Sequence, residues 1–322
     1  MNKREDATAQ CCAECGKGGV VSLKACKACM SVRYCNADCQ RNHWPTHKKE
    51  CKQRAAELHD EALFKDPPTK EDCPICFIPM PQKLICCVSL PPATTSSVPI
   101  DDFVIANEEL ADQETEAYYP CCGKNICIGC VHSFAQSGNI GKCPFCNSDR
   151  SSKTEQEDVQ VLMKRVEAND AASIYMMAND YYQGINGLQQ DQTKAMELYA
   201  RAADLGCSEA HRALAVNYQG VGDLKKTKFH FEAAAMLGNE VARCNLGLME
   251  THFRNRERAI KHFIIAASAG DSRSLNILIP SFQTGRVSRE KIDSTLAAYN
   301  SSCAEMRSEA RDTIIRFLTG ST

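Results

Sequence analysis

Twenty-one of the 322 residues are cysteine, and 18 of these fall between Cys11 and Cys146, leaving only Cys207, Cys244 and Cys303 for the rest of the chain. A segment so rich in thiols folds either as a disulfide scaffold in an oxidising compartment or around thiolate-bound metal in a reducing one. The N-terminal sequence MNKREDATAQ carries charges without the apolar core of a secretory leader, and no run approaches the roughly 18 consecutive apolar residues of a spanning helix. Metal therefore takes precedence: zinc is the expected ion, the cytoplasm or nucleus the expected setting, and no membrane partner is expected. A formal net charge of −2 shows none of the basic excess that phosphate binding needs, so nucleic acid is not an expected partner either.

The first cluster reads Cys12-x2-Cys15, Cys26-x2-Cys29, Cys35-x3-Cys39 and His47-x3-Cys51, a set of eight donors that suffices for two tetrahedral zinc sites. A two-residue spacer lets a tight turn aim both thiolates at one ion, whereas a three-residue spacer places both donors on one face of a helical turn. The stretch from Asn36 to Phe64 has helical composition around the single Pro45. Cys11 is an alternative to Cys12 with a longer spacer, and His43 reads as a solvated helix residue.

These residues, with Tyr34-Cys35, Cys39-Gln40, Trp44 and the His47-Lys48…Cys51 tail, resemble a MYND zinc finger over 12–51. The resemblance implies interleaved ligation, with Cys12, Cys15, Cys35 and Cys39 on one zinc and Cys26, Cys29, His47 and Cys51 on the other. It also implies a shallow groove for proline-containing peptides, contacted by Gln40 and Trp44. Trp44 serves equally well as a packing residue over a zinc lobe, because indole dominates both small cores and interfaces. A helical linker is expected over 52–71.

The second cluster opens with Cys73-Pro-Ile-Cys76, resumes with Cys121-Cys122-Gly-Lys-Asn-Ile-Cys127-x2-Cys130 and closes with Cys143-Pro-Phe-Cys146. Over 72–149 it is similar to a RING finger with an all-cysteine ligand set. Where the common RING has histidine, this chain has Lys124, whose ammonium has no lone pair for a metal. Cys121 and Cys122 are then the third and fourth ligands, with Cys86 or Cys87 as substitutes for one of them. The resemblance implies one zinc held by Cys73, Cys76, Cys127 and Cys130 and another by Cys121, Cys122, Cys143 and Cys146. The stretch at about 86–119, rich in Ser, Thr, Pro and acid, reads as a flexible insertion with too little apolar surface to offset its ordering entropy. Four zinc ions are expected in all. Closed four-ligand shells leave no open position for hydrolytic water, so the metal's role is structural.

After a linker at 150–170, composition shifts toward alanine and leucine and a period of 32 emerges. Gly206, Gly238 and Gly270 share it, as do Tyr199, Phe231 and Phe263, and Leu214, Leu246 and Leu278. That is the mark of stacked helical hairpins, with glycine ending the second helix of each and Asp191 placed to cap one. The tract YYQGINGLQQDQTKAMELYARAADLGCSEAHRAL resembles the Sel-one-like repeat, a relative of the tetratricopeptide repeat. Three units are expected from Ala171 to Ser274, a degenerate fourth to about Tyr299 within a repeat region of 171–300, and a C-terminal helix or tail over 301–322. Such arrays present a concave face to a protein client, or act as spacers.

The expected architecture is thus a pair of small zinc-stapled modules, MYND and RING-like, each with two interleaved zincs, followed by an all-α helical-hairpin solenoid. The RING resemblance implies a ubiquitin ligase without an active-site nucleophile, in which Ile75 and Pro144 touch a ubiquitin-conjugating enzyme while the MYND finger and repeats select the client. Asn147 stands where active members often carry a cation, and Arg150 comes three residues late. The alternative is a non-catalytic adaptor built from the same binding modules. No catalytic residue is expected, and no methyltransferase segment accompanies the MYND-like finger.

Overall fold

Four of the five two-residue-spaced cysteine pairs close a turn whose next residue is left-handed, at Gly16 (φ 68°), Met30 (57°), Phe77 (55°) and Asn147 (56°), while Cys127 and Cys130 stand at the start of a helix. In each turn that residue's N–H donates to the first cysteine's carbonyl, at 2.9, 2.9, 2.8 and 2.9 Å respectively. Glycine and asparagine suit the left-handed region, while Met30 and Phe77 hold it at a cost that the knuckle must offset. The computed structural model describes residues 11–18, 22–80, 116–149 and 154–319. The chain forms two compact units, residues 1–65 and 66–322.

In the first unit, strands β1 (Lys24–Ala25) and β2 (Arg33–Tyr34) pair antiparallel ahead of the long helix α1 (Ala37–Leu63). The Asn36 side chain caps α1 by accepting from the Cys39 N–H at 2.8 Å. The buried core is Cys12, Cys26, Cys29, Tyr34 and Cys51, with Leu23 and Val32 alongside. Sulfur occupies the place that aliphatic side chains fill in a larger domain, which is why so short a segment depends on metal. Beyond the finger, α1 runs on to Leu63, covering most of the expected helical linker.

The second unit begins with a zinc-binding module. Strands β3 (Glu116–Tyr119) and β4 (Lys124–Cys127) form an antiparallel hairpin, with Tyr119 opposite Lys124 and Glu116 opposite Cys127. Helix α2 (Ile128–Phe134) follows and ends in a π-helical turn over Ala135–Asn139. The insertion expected over 86–119 therefore ends in a paired strand; its earlier part, with Cys86 and Cys87, lies outside the described residues.

The segment expected to be a linker at 150–170 contains helix α3 (Glu155–Glu167). Thr154 and Glu157 form a reciprocal capping box, and Val159 and Leu162 pack against Met177. Four helical hairpins then stack: α4 (Ala171–Gln183) with α5 (Gln192–Asp204), α6 (Ser208–Gly220) with α7 (Leu224–Met236), α8 (Glu240–His252) with α9 (Arg256–Ser268), and α10 (Ser272–Gln283) with α11 (Arg289–Glu305). Buried Tyr199, Phe231 and Phe263 recur at the same depth, with alanines between them. A Cβ on Gly247 would lie 2.5 Å from the Phe263 ring, so the ring needs the bare backbone. Gly206, Gly238 and Gly270 end the second helices with φ of 88°, 93° and 103°, and Asp191 caps α5 by accepting from Lys194 N at 2.9 Å. Cys207 occupies the residue just before α6, and Cys244 is buried in α8. The last helix, α12 (Glu309–Thr319), follows a short turn and packs on α2.

The zinc-binding module of this unit lies against the helices. The Tyr118 hydroxyl sits 2.8 Å from Asp170 Oδ2 and 2.7 Å from Ser173 Oγ, at the start of α4. Lys70 Nζ donates to the Ala269 carbonyl at 2.9 Å and pairs with Glu240 at 3.3 Å, while Pro68 covers Gly238. Arg165 of α3 donates to the carbonyls of Pro120 and Cys121 at 3.0 and 3.2 Å. Among the described residues, no helix is long and apolar enough to cross a membrane.

Candidate metal centres

Knuckles and helical turns bring sixteen donors into four quartets: Cys12, Cys15, Cys35 and Cys39; Cys26, Cys29, His47 and Cys51; Cys73, Cys76, Cys127 and Cys130; and Cys121, Cys122, Cys143 and Cys146. Within each, the ligand atoms all lie within 4.8 Å of one another. Sulfur pairs stand 3.7 Å apart at Cys15–Cys35 and Cys26–Cys51, 3.6 Å at Cys35–Cys39, and 3.8 Å at Cys73–Cys130, Cys76–Cys127 and Cys122–Cys143. A tetrahedron with zinc–sulfur bonds of about 2.3 Å has an edge of about 3.8 Å, whereas a disulfide needs about 2.05 Å. The thiols are free, and the donor set fits zinc.

Adjacent Cys121 and Cys122 share one quartet by an unusual turn. The Gly123 N–H donates to the Tyr119 carbonyl at 2.8 Å, and Gly123 is left-handed (φ 64°), so Cys122 takes the second-ligand position of a knuckle whose first position is Tyr119. Cys121 then supplies the remaining sulfur from inside the turn. Lys124 points its ammonium over the Phe145 ring, 4.6 Å from the centroid.

Electrostatics within the quartets are uneven. Backbone N–H groups, Cys15's foremost, hold the Cys12 thiol down at about 6, and the Ser148 hydroxyl leads in holding Cys146 at about 6. The neighbouring thiol of Cys35 pushes Cys39 up to about 12, and burial ahead of neighbouring sulfur pushes Cys51 and Cys122 to about 12. Once one sulfur is ionised, the next resists following. A divalent cation reverses that order by favouring four thiolates at once.

His47 presents Nε2 to its quartet, 3.3 Å from Cys29 Sγ, and is buried. His43, expected to be solvated, instead stacks on His47 with centroids 5.4 Å apart and planes 8° apart. Its Nδ1 lies 3.0 Å from the Tyr34 hydroxyl. Residues 43 and 47 lie one turn apart on the α1 face toward β2, a consequence of helical spacing that composition alone conceals. Gln40 and Trp44 also lie one turn apart on α1; both are exposed, Trp44 by 40%. On the first knuckle of the second unit, Ile75 and Phe77 are 39% and 77% exposed, and Pro144 in the last knuckle is half-buried.

Residues 12–51 match the MYND finger family model, and residues 171–207, 208–239 and 231–271 match the Sel1 repeat model. Tudor domain-containing protein 1 of Oryzias latipes is 37% identical over 60 residues, which is 19% of this chain and 5% of that protein. SET domain-containing protein 14 of Caenorhabditis elegans is 45% identical over 42 residues, 13% of this chain and 9% of that one. The chain thus spans less than a tenth of the length of either curated relative. Among solved structures, a Sel1 repeat protein from Oxalobacter formigenes aligns with a TM-score of 0.42 and 19% identity over 60% of this chain and 75% of its own. The molecule therefore combines an N-terminal zinc-binding MYND module with a helical Sel1-repeat stack, both of which are protein-interaction modules.

Proposed function

We propose that the chain is a RING-type ubiquitin ligase of the scaffolding kind. The observation that carries this reading is the interleaving of the second unit's quartets: pairs one and three in chain order share one centre, pairs two and four the other. Solvent-facing Ile75 on the first knuckle and half-buried Pro144 on the last support a docking role toward a ubiquitin-conjugating enzyme. The exposed Gln40 and Trp44 support binding of proline-containing peptides by the MYND module, and the repeats offer further surface for a client. Such a ligase forms no covalent intermediate. It raises the rate by holding the loaded conjugating enzyme and a client lysine together. Free thiols suited to zinc accord with a cytoplasmic or nuclear setting.

An adaptor without ligase activity is the competing reading, favoured by Asn147. That residue meets the left-handed backbone demand of its turn, and it carries no charge with which to hold the transferred ubiquitin. Autoubiquitination by the zinc-loaded chain, assayed against a panel of conjugating enzymes, separates the two. The ligase reading expects chains with at least one enzyme and their loss in Ile75→Ala with zinc content unchanged. Absence of chains with every enzyme would leave the adaptor.

A further inference from the structure

Arg311, on α12, is only 2% exposed, yet its guanidinium donates to neutral carbonyls: Nη1 to Pro79 O and to Met306 O at 2.7 Å each, and Nη2 to Ile78 O at 3.1 Å. Its buried Nε meets no hydrogen-bond partner, and among the described residues none of the groups it bonds is a carboxylate. A buried cation without a counter-charge is strongly unfavourable. One candidate for that charge is in reach, because Cys76 Sγ lies 3.8 Å from Nη2 and belongs to the Cys73, Cys76, Cys127, Cys130 quartet. As four neutral thiols that quartet offers no compensation; as four thiolates around a divalent ion it carries a net charge of about −2.

The other centres make the need specific. Two quartets are largely buried, this one and that of Cys26, Cys29, His47 and Cys51. The latter includes a neutral imidazole, which lowers its net charge by one, whereas the former keeps four sulfurs. The remaining two each contain an exposed cysteine, Cys15 or Cys146, so water screens them.

We propose that zinc loading of the Cys73, Cys76, Cys127, Cys130 centre and seating of helix α12 are one coupled equilibrium, with Arg311 as the positioning residue and counter-charge that links them. The contact is intimate: a Cβ on Gly129, between ligands Cys127 and Cys130, would lie 2.8 Å from both Arg311 Cγ and its backbone N. The turn before α12 is bound in turn to the segment leading into the first knuckle, because Lys70 Nζ reaches Met306 Sδ at 3.3 Å as well as Glu240 and Ala269 O. Release of zinc therefore frees α12 from α2 and exposes the face of α2 that it covers. Arg165 plays a weaker version of the same part at the other centre, bonding the Pro120 and Cys121 carbonyls from a half-buried position.

The test uses the full zinc-loaded chain, challenged with a chelator. Site-resolved cysteine alkylation follows each centre, and hydrogen exchange follows α12. In the unsubstituted chain, α12 should lose protection in step with alkylation of Cys73 and Cys76; an α12 still protected after those thiols have reacted would overturn the coupling. Arg311→Met should speed zinc loss from this centre at least tenfold, the lower end of what outer-shell changes usually cost, with Cys26 and Cys51 reacting at the unaltered rate. Arg311→Lys, which keeps the charge but not the fork, should recover most of the retention. If Arg311→Met holds zinc as well as the parent, or Arg311→Lys fails as badly as Arg311→Met, charge is not the link.

Discussion

The two zinc-binding regions use the same knuckle but differ in how they tolerate its charge. In residues 12–51 the buried centre includes His47, backed by a ring relay of His43 and Tyr34, and its ligands and their neighbours all come from within 40 residues of sequence. In the second unit the buried centre is all sulfur, and a guanidinium more than 160 residues from the nearest ligand lies against it. The difference teaches that a histidine-for-cysteine exchange does more than change a donor: it sets how much positive charge the surrounding protein must supply. A module that keeps its charge becomes an integral part of the helices that neutralise it.

The largest expected effect is loss of a ligand in each region. Cys26→Ala and Cys127→Ala each remove zinc binding on the order of 10 kcal/mol from a module whose core is mostly sulfur. Hydrogen exchange should show the first change confined to residues 12–51, while the second spreads into α12 and the start of α4. Equal confinement of both would break the contrast.

Next comes a change on the helical side. Phe231 is fully buried in α7, so Phe231→Ala should lower the unfolding free energy of the second unit by about 3–5 kcal/mol. In a denaturant series, zinc should leave the second module at a correspondingly lower concentration and leave the MYND module unaffected.

A smaller effect isolates the ring relay. His43→Ala removes the stack on His47 and the Tyr34 contact, and competition with a fluorescent chelator should show zinc affinity at the His47 centre falling about tenfold. The second unit should not respond.

The smallest effect is one of pH and belongs to the second unit alone. His211 and His230 face each other with Nδ1 atoms 3.0 Å apart, beside Tyr218 and Lys226. Burial, with the His211 and Lys226 charges, holds His230 down to about 4, and burial lowers His211 as well. Both are bases depressed in the folded state, so their contribution is intact above the ordinary histidine value of about 6.5 and lost as pH falls through the folded value. His230→Phe should therefore lose less of its urea midpoint than the parent between pH 7 and pH 5. Thiolate protonation affects both proteins alike and cancels in the difference.

Local chemistry was legible in the sequence and long-range chemistry was not. A Cys-x2-Cys spacer defines its own turn, and a 32-residue period of glycine and aromatics defines its own hairpin, so the knuckles and the stack could be read from neighbours in the chain. The pairing of quartets came from resemblance, because spacing alone cannot say which turns meet. Helix α3 does carry a local signal, since Thr154 followed by Glu157 is a capping box ahead of an apolar stripe. His43 was visible as one turn from His47, but the reason for its orientation is Tyr34 on a separate strand. Arg165 and Arg311 carried no signal, since an arginine near a helix end looks like any solvated residue until the fold brings a knuckle carbonyl to it.

Native mass spectrometry of the intact chain, purified with zinc and without chelator, tests the closed four-centre arrangement most directly. Sixteen donors in four saturated quartets predict four zinc ions per molecule. A population holding two would contradict the account, because two of the four quartets would then stand without metal.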